Sequence, residues 1–399
     1  MDRTPITIAG QWTTTGHPLQ SLPSQGAESA GARALYVHIP FCFHKCHYCD
    51  FYSLVDTRDR QEPFTNRLIA ELKALSPHAD RLDSVFVGGG TPTLLRPQLW
   101  RRLLSGLRAH FELAQAEFTV ECNPETASAE LFEVLVAGGV NRISIGAQSF
   151  DPRHLHTLER WHDPDNVAHA IELAQRAGIE RQSIDLIFAI PGQTLADWQA
   201  DLDRALALGV THLSCYALTY EPNTALTARL QRGDFEPADE DLEADMLECT
   251  LATLRDAGYE RYEVSNFARR GDECRHNLAY WRQDAWLAAG PSASGHLAGW
   301  RWKNVPRLDS YLGDPLASGL PPVIDAEPPD ATRALAERLM TGLRLREGID
   351  ASRMPDSLHA EATRQRNSGN LIIEGDRWRL TDAGTMFADG IASTFMALI

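Results

Sequence analysis

The sequence predicts an α/β protein whose main part is an incomplete (βα)6 barrel, followed by a C-terminal α+β accessory domain. Two observations predict it. From residue 34 to about residue 220, short apolar runs alternate with amphipathic stretches, and after about residue 225 this alternation stops. Six β-then-α repeats indicate a parallel sheet with helices outside it, and they are too few to close an eight-stranded barrel. In such folds the chemistry lies in the βα loops, at the C-terminal ends of the strands.

The repeating elements follow one another in a regular order. The predicted strands are short and apolar and span residues 34–39, 83–88, 117–122, 141–146, 183–188 and 212–218. Between them, amphipathic stretches predict helices over residues 63–75, 97–111, 128–138, 166–178 and 195–209. In the first of these helices, apolar side chains recur at positions 64, 68, 69, 72 and 75, which is helical spacing.

The remainder of the chain has a different pattern. Residues 231–259 are acidic and helical in character, and residues 275–304 concentrate aromatic residues and glycine. Residues 331–345 predict one amphipathic helix, and the end of the chain predicts a small hairpin followed by a helix with Thr381 as its N-cap. We therefore expect a winged-helix-like accessory domain. The predicted divisions are a mostly disordered extension (1–32), the barrel (33–225), a connecting region (226–328) and the accessory domain (329–399).

Composition and charge exclude several classes of protein. The chain has 399 residues, of which 43% are hydrophobic and 23% charged, with a net charge of −16. Such an acidic balance disfavours nucleic acid as a main partner, because it repels the phosphate backbone. No run of about 18 apolar residues is present, so no integral membrane segment is expected. The start of the chain lacks the pattern of a secretory signal, and we expect a cytoplasmic protein.

Three of the seven cysteines, Cys42, Cys46 and Cys49, are crowded directly after the first predicted strand. An odd number of cysteines with this distribution is typical of a reducing compartment and of a metal or redox site. Three thiolates in one short loop can bind three irons of a [4Fe–4S] cluster and leave the fourth iron open to an exogenous ligand. Two alternatives remain: zinc bound by the same cysteines with His44 or His47, and unligated thiols.

The segment YVHIPFCFHKCHYCDF, with its C-x3-C-x2-C spacing after the first strand, resembles the radical S-adenosylmethionine superfamily. More closely, it resembles the family of the anaerobic coproporphyrinogen III oxidase and the haem chaperone HemW. The similarity covers about residues 34–399 and continues through VGGGTPTLL, VECNPET, GVNRISIGAQSFD, IDLIFAIPGQT, YALTYEPNT, RHNLAYW and LTDAG. The resemblance implies a TIM-like partial barrel of the radical S-adenosylmethionine type, with a [4Fe–4S] cluster whose open iron binds S-adenosylmethionine.

Candidate contacts for S-adenosylmethionine lie in the loops after the strands. Successive glycines let the backbone approach a ligand closely, although they also form tight turns. The resemblance implies that Gly89, Gly90 and Thr91 seat the methionine amino group.

Polar side chains at the ends of the later strands extend this set. Carboxylates accept hydrogen bonds from an ammonium group or ribose hydroxyls, and arginine pairs with a carboxylate, but the same residue types also form salt bridges and caps. Tyr36 and Tyr48 flank the cluster and either pack against S-adenosylmethionine or fill the core. The further contacts that the resemblance implies are Glu121, Gln148, Arg160, Asp185 and Thr219.

His276 is the candidate haem ligand. It stands in RHNLAYW, where Tyr280 and Trp281 follow at short range, and the HNxxYW motif is associated with haem binding in HemW-type chaperones. Imidazole is a common ligand of haem iron, and aromatic faces pack against a porphyrin. A single histidine is also often a surface or hydrogen-bonded core residue, and these aromatics could join the accessory domain to the barrel. Cys274 is an alternative thiolate ligand.

One departure separates the two members of the family. The oxidase motif continues with a Gly-Cys pair after the third cysteine, whereas Cys49 is followed here by Asp50 and Phe51. The resemblance therefore implies a haem chaperone, with no catalytic residue assigned, that passes haem to an acceptor protein, including by peripheral contact with a membrane-bound acceptor. Two alternatives stay open: a radical S-adenosylmethionine enzyme acting on a porphyrinogen, and a zinc-stabilised binding protein.

Overall fold

The computed structural model describes residues 17–22, 31–313 and 318–399. In chain order the strands are β1 (Ala32–Ile39), β2 (Ala79–Gly89), β3 (Glu117–Cys122), β4 (Arg142–Gln148), β5 (Arg181–Phe188), β6 (His212–Ala217), β7 (Glu260–Arg261), β8 (Asn266–Ala268), β9 (Trp286–Ala289), β10 (Ser294–Leu297), β11 (Trp300–Asn304), β12 (Val323–Glu327), β13 (Ile349–Asp350), β14 (Leu371–Glu374) and β15 (Arg377–Leu380). The α-helices are α1 (Gln61–Leu75), α2 (Pro97–His110), α3 (Ala129–Ala137), α4 (Pro152–Thr157), α5 (Asp165–Ala177), α6 (Leu195–Ala207), α7 (Ala225–Gln231), α8 (Glu240–Asp256), α9 (Arg275–Trp281), α10 (Leu308–Leu312), α11 (Ala331–Gly342), α12 (Asp356–Asn367), α13 (Asp382–Thr385) and α14 (Ala388–Met396).

The six predicted βα units form the centre of one large sheet. Strands β1 to β6 are parallel and adjacent in chain order, as the alternating sequence pattern predicts. The full order of the sheet is β12-β11-β10-β9-β1-β2-β3-β4-β5-β6-β8-β7. Strand β9 pairs in parallel with β1, so residues from the predicted connecting region extend the barrel. The incomplete (βα)6 barrel is confirmed.

The strands present different chemistry on their two faces. Phe118 and Val120 of β3 are buried in the apolar layer that lies against the helices. The alternate residues Thr119 and Glu121 line a cavity inside the barrel. Because successive side chains of a strand point to opposite faces, the apolar core lies between sheet and helices and the barrel interior is polar.

The C-terminal part forms the expected α+β accessory domain. A three-stranded sheet in the order β13-β15-β14 packs with α11, α12 and α14 around a separate apolar cluster that includes Trp378 and Phe395. Thr381 is the N-cap of α13, and its hydroxyl oxygen accepts a hydrogen bond from the backbone of Gly384 at 2.8 Å. The final helix is divided into α13 and α14, whereas the sequence predicts one helix. The boundaries placed at residues 33, 226 and 329 remain predictions.

Residues 17–22 differ from the disordered extension predicted over residues 1–32. They form a 3-10 turn in which Leu19 is 1% exposed, and the His17 ring meets Trp302 of β11 edge-on at 5.2 Å between centroids. Leu19 and the His17 ring thus pack the turn against the rest of the protein, although the segment is poor in apolar residues. The rest of the extension, up to residue 30, lies outside the described residues.

Across the described ranges, no helix combines the length and the apolar character that crossing a membrane requires.

Candidate functional site

The cysteine loop, residues 40–54, leaves the end of β1 and folds back onto it. The backbone of Cys42 donates to the carbonyl of Leu54 at 2.9 Å, and Leu54 donates in turn to the carbonyl of Pro40 at 2.9 Å. Both ends of the loop are therefore fixed at the mouth of the barrel. The thiols of Cys42, Cys46 and Cys49 are free and half-buried inside it.

Polar groups from two other βα loops point at these sulfurs. The Thr91 hydroxyl donates to Sγ of Cys42 at 3.7 Å, and the Arg160 guanidinium donates to Sγ of Cys46 at 3.7 Å. Burial raises the pKa of Cys42 and raises that of Cys49 to about 11, so both thiols are protonated in the metal-free chain. Metal binding would displace those protons, and the guanidinium would stabilise the thiolates that result.

The structure brings most of the predicted site residues to one cavity of about 500 Å³ beside the thiols. Its walls include the three cysteines and Tyr48, Gly89, Gly90, Thr91, Glu121, Gln148, Arg160, Asp185 and Thr219. Tyr36 and His276 instead line a neighbouring interior cavity of about 800 Å³. The two cavities share Gly89, Glu121 and Asp185 as walls, so the mouth and the interior of the barrel are contiguous.

The glycine loop, which we define as Gly88, Gly89 and Gly90 at the end of β2, lies so close to neighbouring atoms that it leaves no room for a Cβ. A Cβ on Gly90 would stand 2.7 Å from the carbonyl oxygen of Phe41, and one on Gly88 would stand 2.8 Å from the Glu121 carboxylate. Gly89 has a φ of +108° and donates its N–H to Glu121 at 3.1 Å. This close approach leaves backbone next to the cysteine loop, which fits a ligand seated over the cluster.

Gln148 occupies a strained position at the end of β4. Its φ is +65°, in the left-handed region that non-glycine residues rarely adopt, and the pairing of β4 with β5 shifts register there. Gly146 beside it leaves room for the Gln148 amide and the Arg160 guanidinium, which would stand 2.8 and 3.1 Å from a Cβ. The irregular backbone thus aims both side chains toward the mouth, and strain of this kind is typical of ligand sites.

Two half-buried carboxyl groups, those of Glu121 and Asp185, stand where the two cavities meet. Burial, with a smaller contribution from Asp185, raises the pKa of Glu121 to about 7. Burial also raises the pKa of Asp185, although the Ser144 hydroxyl donates to its two oxygens at 3.1 and 3.0 Å. Both groups can therefore accept hydrogen bonds from a polar ligand, and Glu121 can exchange a proton near neutral pH.

The raised pKa of Glu121 predicts a pH-dependent stability. A carboxyl whose pKa rises from 4.5 to about 7 on folding stabilises the fold fully below its unfolded value and loses that contribution as the pH rises through 7. We expect the unfolding free energy of the metal-free chain to fall between about pH 5 and pH 8 by on the order of 3 kcal/mol more than that of Glu121→Gln. Chemical denaturation at several pH values measures the difference. Parallel curves for the two proteins would contradict this prediction, since other titrating groups are common to both.

Helix α9 closes the other end of the barrel, at the first residues of β3, β4 and β5. The backbone of Arg275 donates to Glu117 at 2.8 Å, and Arg142 donates to the carbonyl of Asp272 at 2.9 Å. Arg181 pairs with Glu117 at 2.9 Å and with Asp272 at 3.0 Å. This largely buried network lies beneath the interior cavity, and we refer to it as the floor.

His276 lies in the floor and faces the interior cavity. It is 1% exposed, and its Nδ1 and Nε2 atoms are each 3.0 Å from a hydroxyl oxygen, of Ser84 and Tyr280 respectively. Burial lowers its pKa to about 3, so the imidazole is neutral, which is the form that binds iron. Trp281 points away from the cavity, and the Arg344 guanidinium lies 6.0 Å from its ring centroid, at the accessory domain. Burial raises the pKa of Cys274 to about 12, which disfavours the thiolate alternative.

The spacing of the thiols favours a cluster over a single zinc ion. Tetrahedral zinc with thiolates about 2.3 Å away holds them about 3.8 Å apart. Among the residues that the structure describes, neither the three cysteines nor His44 and His47 belong to a group of three ligand atoms within 4.8 Å of one another. A cubane spaces its thiolates further apart than one ion does, because each binds a different iron.

Several residues of the interior escaped the sequence analysis. Thr119, Ser144 and Ser183 line the cavity between the predicted contacts, and so do Lys45 and Lys303. A signal was available for the first three, because polar residues at alternate positions are unusual in parallel strands, which are normally apolar on both faces. No local pattern marks the lysines.

Comparison with known proteins places this geometry in context. The model of the Radical SAM superfamily matches residues 36–205, and that of the HemN C-terminal domain matches residues 330–387. The Heme chaperone HemW of Mycobacterium tuberculosis is 38% identical over 368 residues, which cover 91% of this chain and 94% of the relative. That of Escherichia coli is 33% identical over 379 residues and is covered to 98%. The chain belongs to the HemW family.

Solved structures agree with this assignment at the level of the fold. Coproporphyrinogen III oxidase (HemN) from Escherichia coli, described as a radical SAM enzyme, superposes with a TM-score of 0.80. The superposition covers 92% of this chain and 91% of that structure, at 22% sequence identity. This chain and the oxidase thus share one architecture, and the partial barrel with its accessory domain is confirmed. The roles of individual site residues remain predictions.

Proposed function

We propose that this chain is a haem chaperone that carries a [4Fe–4S] cluster on Cys42, Cys46 and Cys49, binds S-adenosylmethionine at the cluster, and passes haem to an acceptor protein. The observation that carries the proposal is a pair of features facing one contiguous space. Three spaced thiols lie at the mouth, and a neutral imidazole lies at the floor. The sequence identity of this chain to HemW relatives extends over nearly their whole length and supports the same function.

The chain's own residues divide the work at the mouth. Arg160 and Thr91 stabilise the thiolates through the contacts already described. The backbone of Gly90 provides a surface on which the methionine part of S-adenosylmethionine rests, while Glu121 and Asp185 accept hydrogen bonds from its ammonium and ribose groups. When bound, the cluster supplies one-electron chemistry and an open iron for this ligand.

His276 is the proposed axial ligand of haem. With Nδ1–H donated to Ser84, the Nε2 lone pair faces Tyr280, whose hydroxyl the iron would displace. The hydrogen bond to Ser84 would then fix the ring orientation, as partners of metal-binding histidines commonly do.

We expect about one haem per chain, and His276→Ala should weaken binding by at least roughly tenfold and shift the Soret band. Tyr280→Phe should bind haem no more weakly than the parent protein, because it removes only the competing hydroxyl. Anaerobic spectroscopic titration with haem measures both variants, and cluster absorption and circular dichroism report on folding. If His276→Ala binds haem with the parent spectrum and affinity, the ligand lies elsewhere.

We also expect no conversion of coproporphyrinogen III to protoporphyrinogen IX. Asp50 and Phe51 stand where the oxidase motif has Gly-Cys, and both line the mouth and the interior cavity. The measurement is product formation by the reconstituted protein with S-adenosylmethionine and a reductant under anaerobic conditions. Turnover dependent on S-adenosylmethionine would favour the enzyme over the chaperone.

A further inference from the structure

Lysine is rare in this chain, and its few positions are informative. The chain has 38 lysine and arginine residues together, but lysine occurs only at positions 45, 73 and 303. Lys45 and Lys303 both line the interior cavity, although they are 258 residues apart in sequence. Lys45 belongs to the cysteine loop, and Lys303 belongs to β11. Two distant parts of the chain thus bring ammonium groups to one space.

These two ammonium groups have no carboxylate partner. Arginines at the floor and around the surface form many ion pairs, but within the described ranges no acidic side chain lies within 4.0 Å of Lys45 or Lys303. Asp325 is opposite Lys303 on β12 but forms no ion pair with it. The cavity acids Glu121 and Asp185 form no ion pair with either lysine.

The walls between the lysines suit a flat apolar ligand. Phe51, Phe86 and Trp286 line the same cavity, and Phe51 is 63% exposed beside Lys45 at the mouth. Burial, with a smaller contribution from the Lys303 ammonium, lowers the pKa of His38 on β1 to about 4. Aromatic faces bury a planar ring, whereas exposed ammonium groups bind anions at its edge.

We propose that Lys45 and Lys303 bind the carboxylates of the tetrapyrrole held in the interior cavity. This inference rests on the proposed haem-binding function and assigns the residues that recognise the acidic edge of the ring. A haem molecule has an apolar face and two propionates, which match the aromatic walls and the two free cations. The lysines would then discriminate haem from tetrapyrroles that lack free carboxylates.

The experiment compares two probes, haem and its dimethyl ester, in which both propionates are neutral. Each is titrated into the anaerobically reconstituted full-length protein and followed at the Soret band. We expect the parent protein to prefer haem over the ester by roughly tenfold, the product of two partly exposed charge contacts. Lys45→Gln and Lys303→Gln should each weaken haem binding by roughly threefold and leave ester binding unchanged.

Lys73→Gln is the matched control, because Lys73 is exposed on α1 and does not line the cavity. It should behave like the parent protein with both probes. S-adenosylmethionine affinity and cluster absorption should be unchanged in Lys303→Gln and Lys73→Gln, which lie outside the mouth cavity, whereas Lys45 lines that cavity as well and its variant is judged by the ratio of haem to ester affinity. A loss of S-adenosylmethionine binding in Lys303→Gln would instead assign that lysine to S-adenosylmethionine. Equal affinity of the parent protein for both probes would overturn the inference while leaving haem binding intact. A protein that binds neither probe would contradict the chaperone function and this inference with it.

Discussion

Replacing any one of Cys42, Cys46 and Cys49 by serine is expected to abolish the visible iron–sulfur absorption of the reconstituted protein. Each thiolate binds a separate iron, and an alcohol is a far poorer ligand for iron than a thiolate. Each single variant should therefore lose nearly all of the iron–sulfur absorption, and not only the one third that would correspond to one of three ligands. Iron and sulfide analysis with the absorption spectrum after anaerobic reconstitution measures it.

Cys249→Ser is the matched control for this series. Cys249 is a free, half-buried cysteine on α8 that lies outside both cavities and contacts Gln199. Its variant should retain the full iron and sulfide content of the parent protein. A triple variant of the cysteine loop that still carried a complete cluster would refute the assignment.

Gly90→Ala is expected to weaken S-adenosylmethionine binding by roughly 10- to 100-fold, because overpacking of a tight site costs about 1–3 kcal/mol. The new Cβ would stand 2.7 Å from the carbonyl oxygen of Phe41 and 2.8 Å from the carbonyl carbon of Pro40. Both are backbone atoms, so no side chain can rotate away, and the glycine loop must shift relative to the cysteine loop. Equilibrium dialysis of labelled S-adenosylmethionine against the reconstituted protein measures the change.

Gly390→Ala controls for the added methyl group, since a Cβ on Gly390 in α14 would have no atom within 4 Å outside its own helix backbone. Its affinity for S-adenosylmethionine should equal that of the parent protein. Gly90→Ala with unchanged affinity would mean that the ligand does not rest on the glycine loop, provided that cluster content shows intact folding.

The sequence predicts the βα core well because its signals are local. Strands β1 to β6 and the helices between them each carry their own apolar pattern within one continuous segment. Strands β7 to β12 have only two to five residues each, and β9 pairs with β1 across more than 240 intervening positions. A pattern of two to five residues does not determine such pairing, which depends on the assembled sheet edge.

For the site, local motifs identified the residues but did not show whether each lies at the mouth or in the interior of the barrel. The cysteine loop, the glycine loop and the strand-end carboxylates all reach one cavity, as expected from their places after parallel strands. His276 lies lower, in the interior, because α9 folds beneath the strands after a long excursion of the chain. Tyr36 also lines the interior, because it lies within β1 and not in the loop after it. No sequence motif identifies Lys45 and Lys303, because their proposed role depends on sharing a cavity and not on their neighbours in sequence.

The floor formed by α9 also constrains kinetics. The network around Glu117, Arg142 and Arg181 fills the lower end with protein, so a route into the interior runs along the mouth, where the cysteine loop stands. An occupant of the mouth then slows both entry to and escape from the interior without touching the ligand below. The residence time of the interior ligand, and the order in which the two ligands are added, therefore depend on the architecture as well as on affinity.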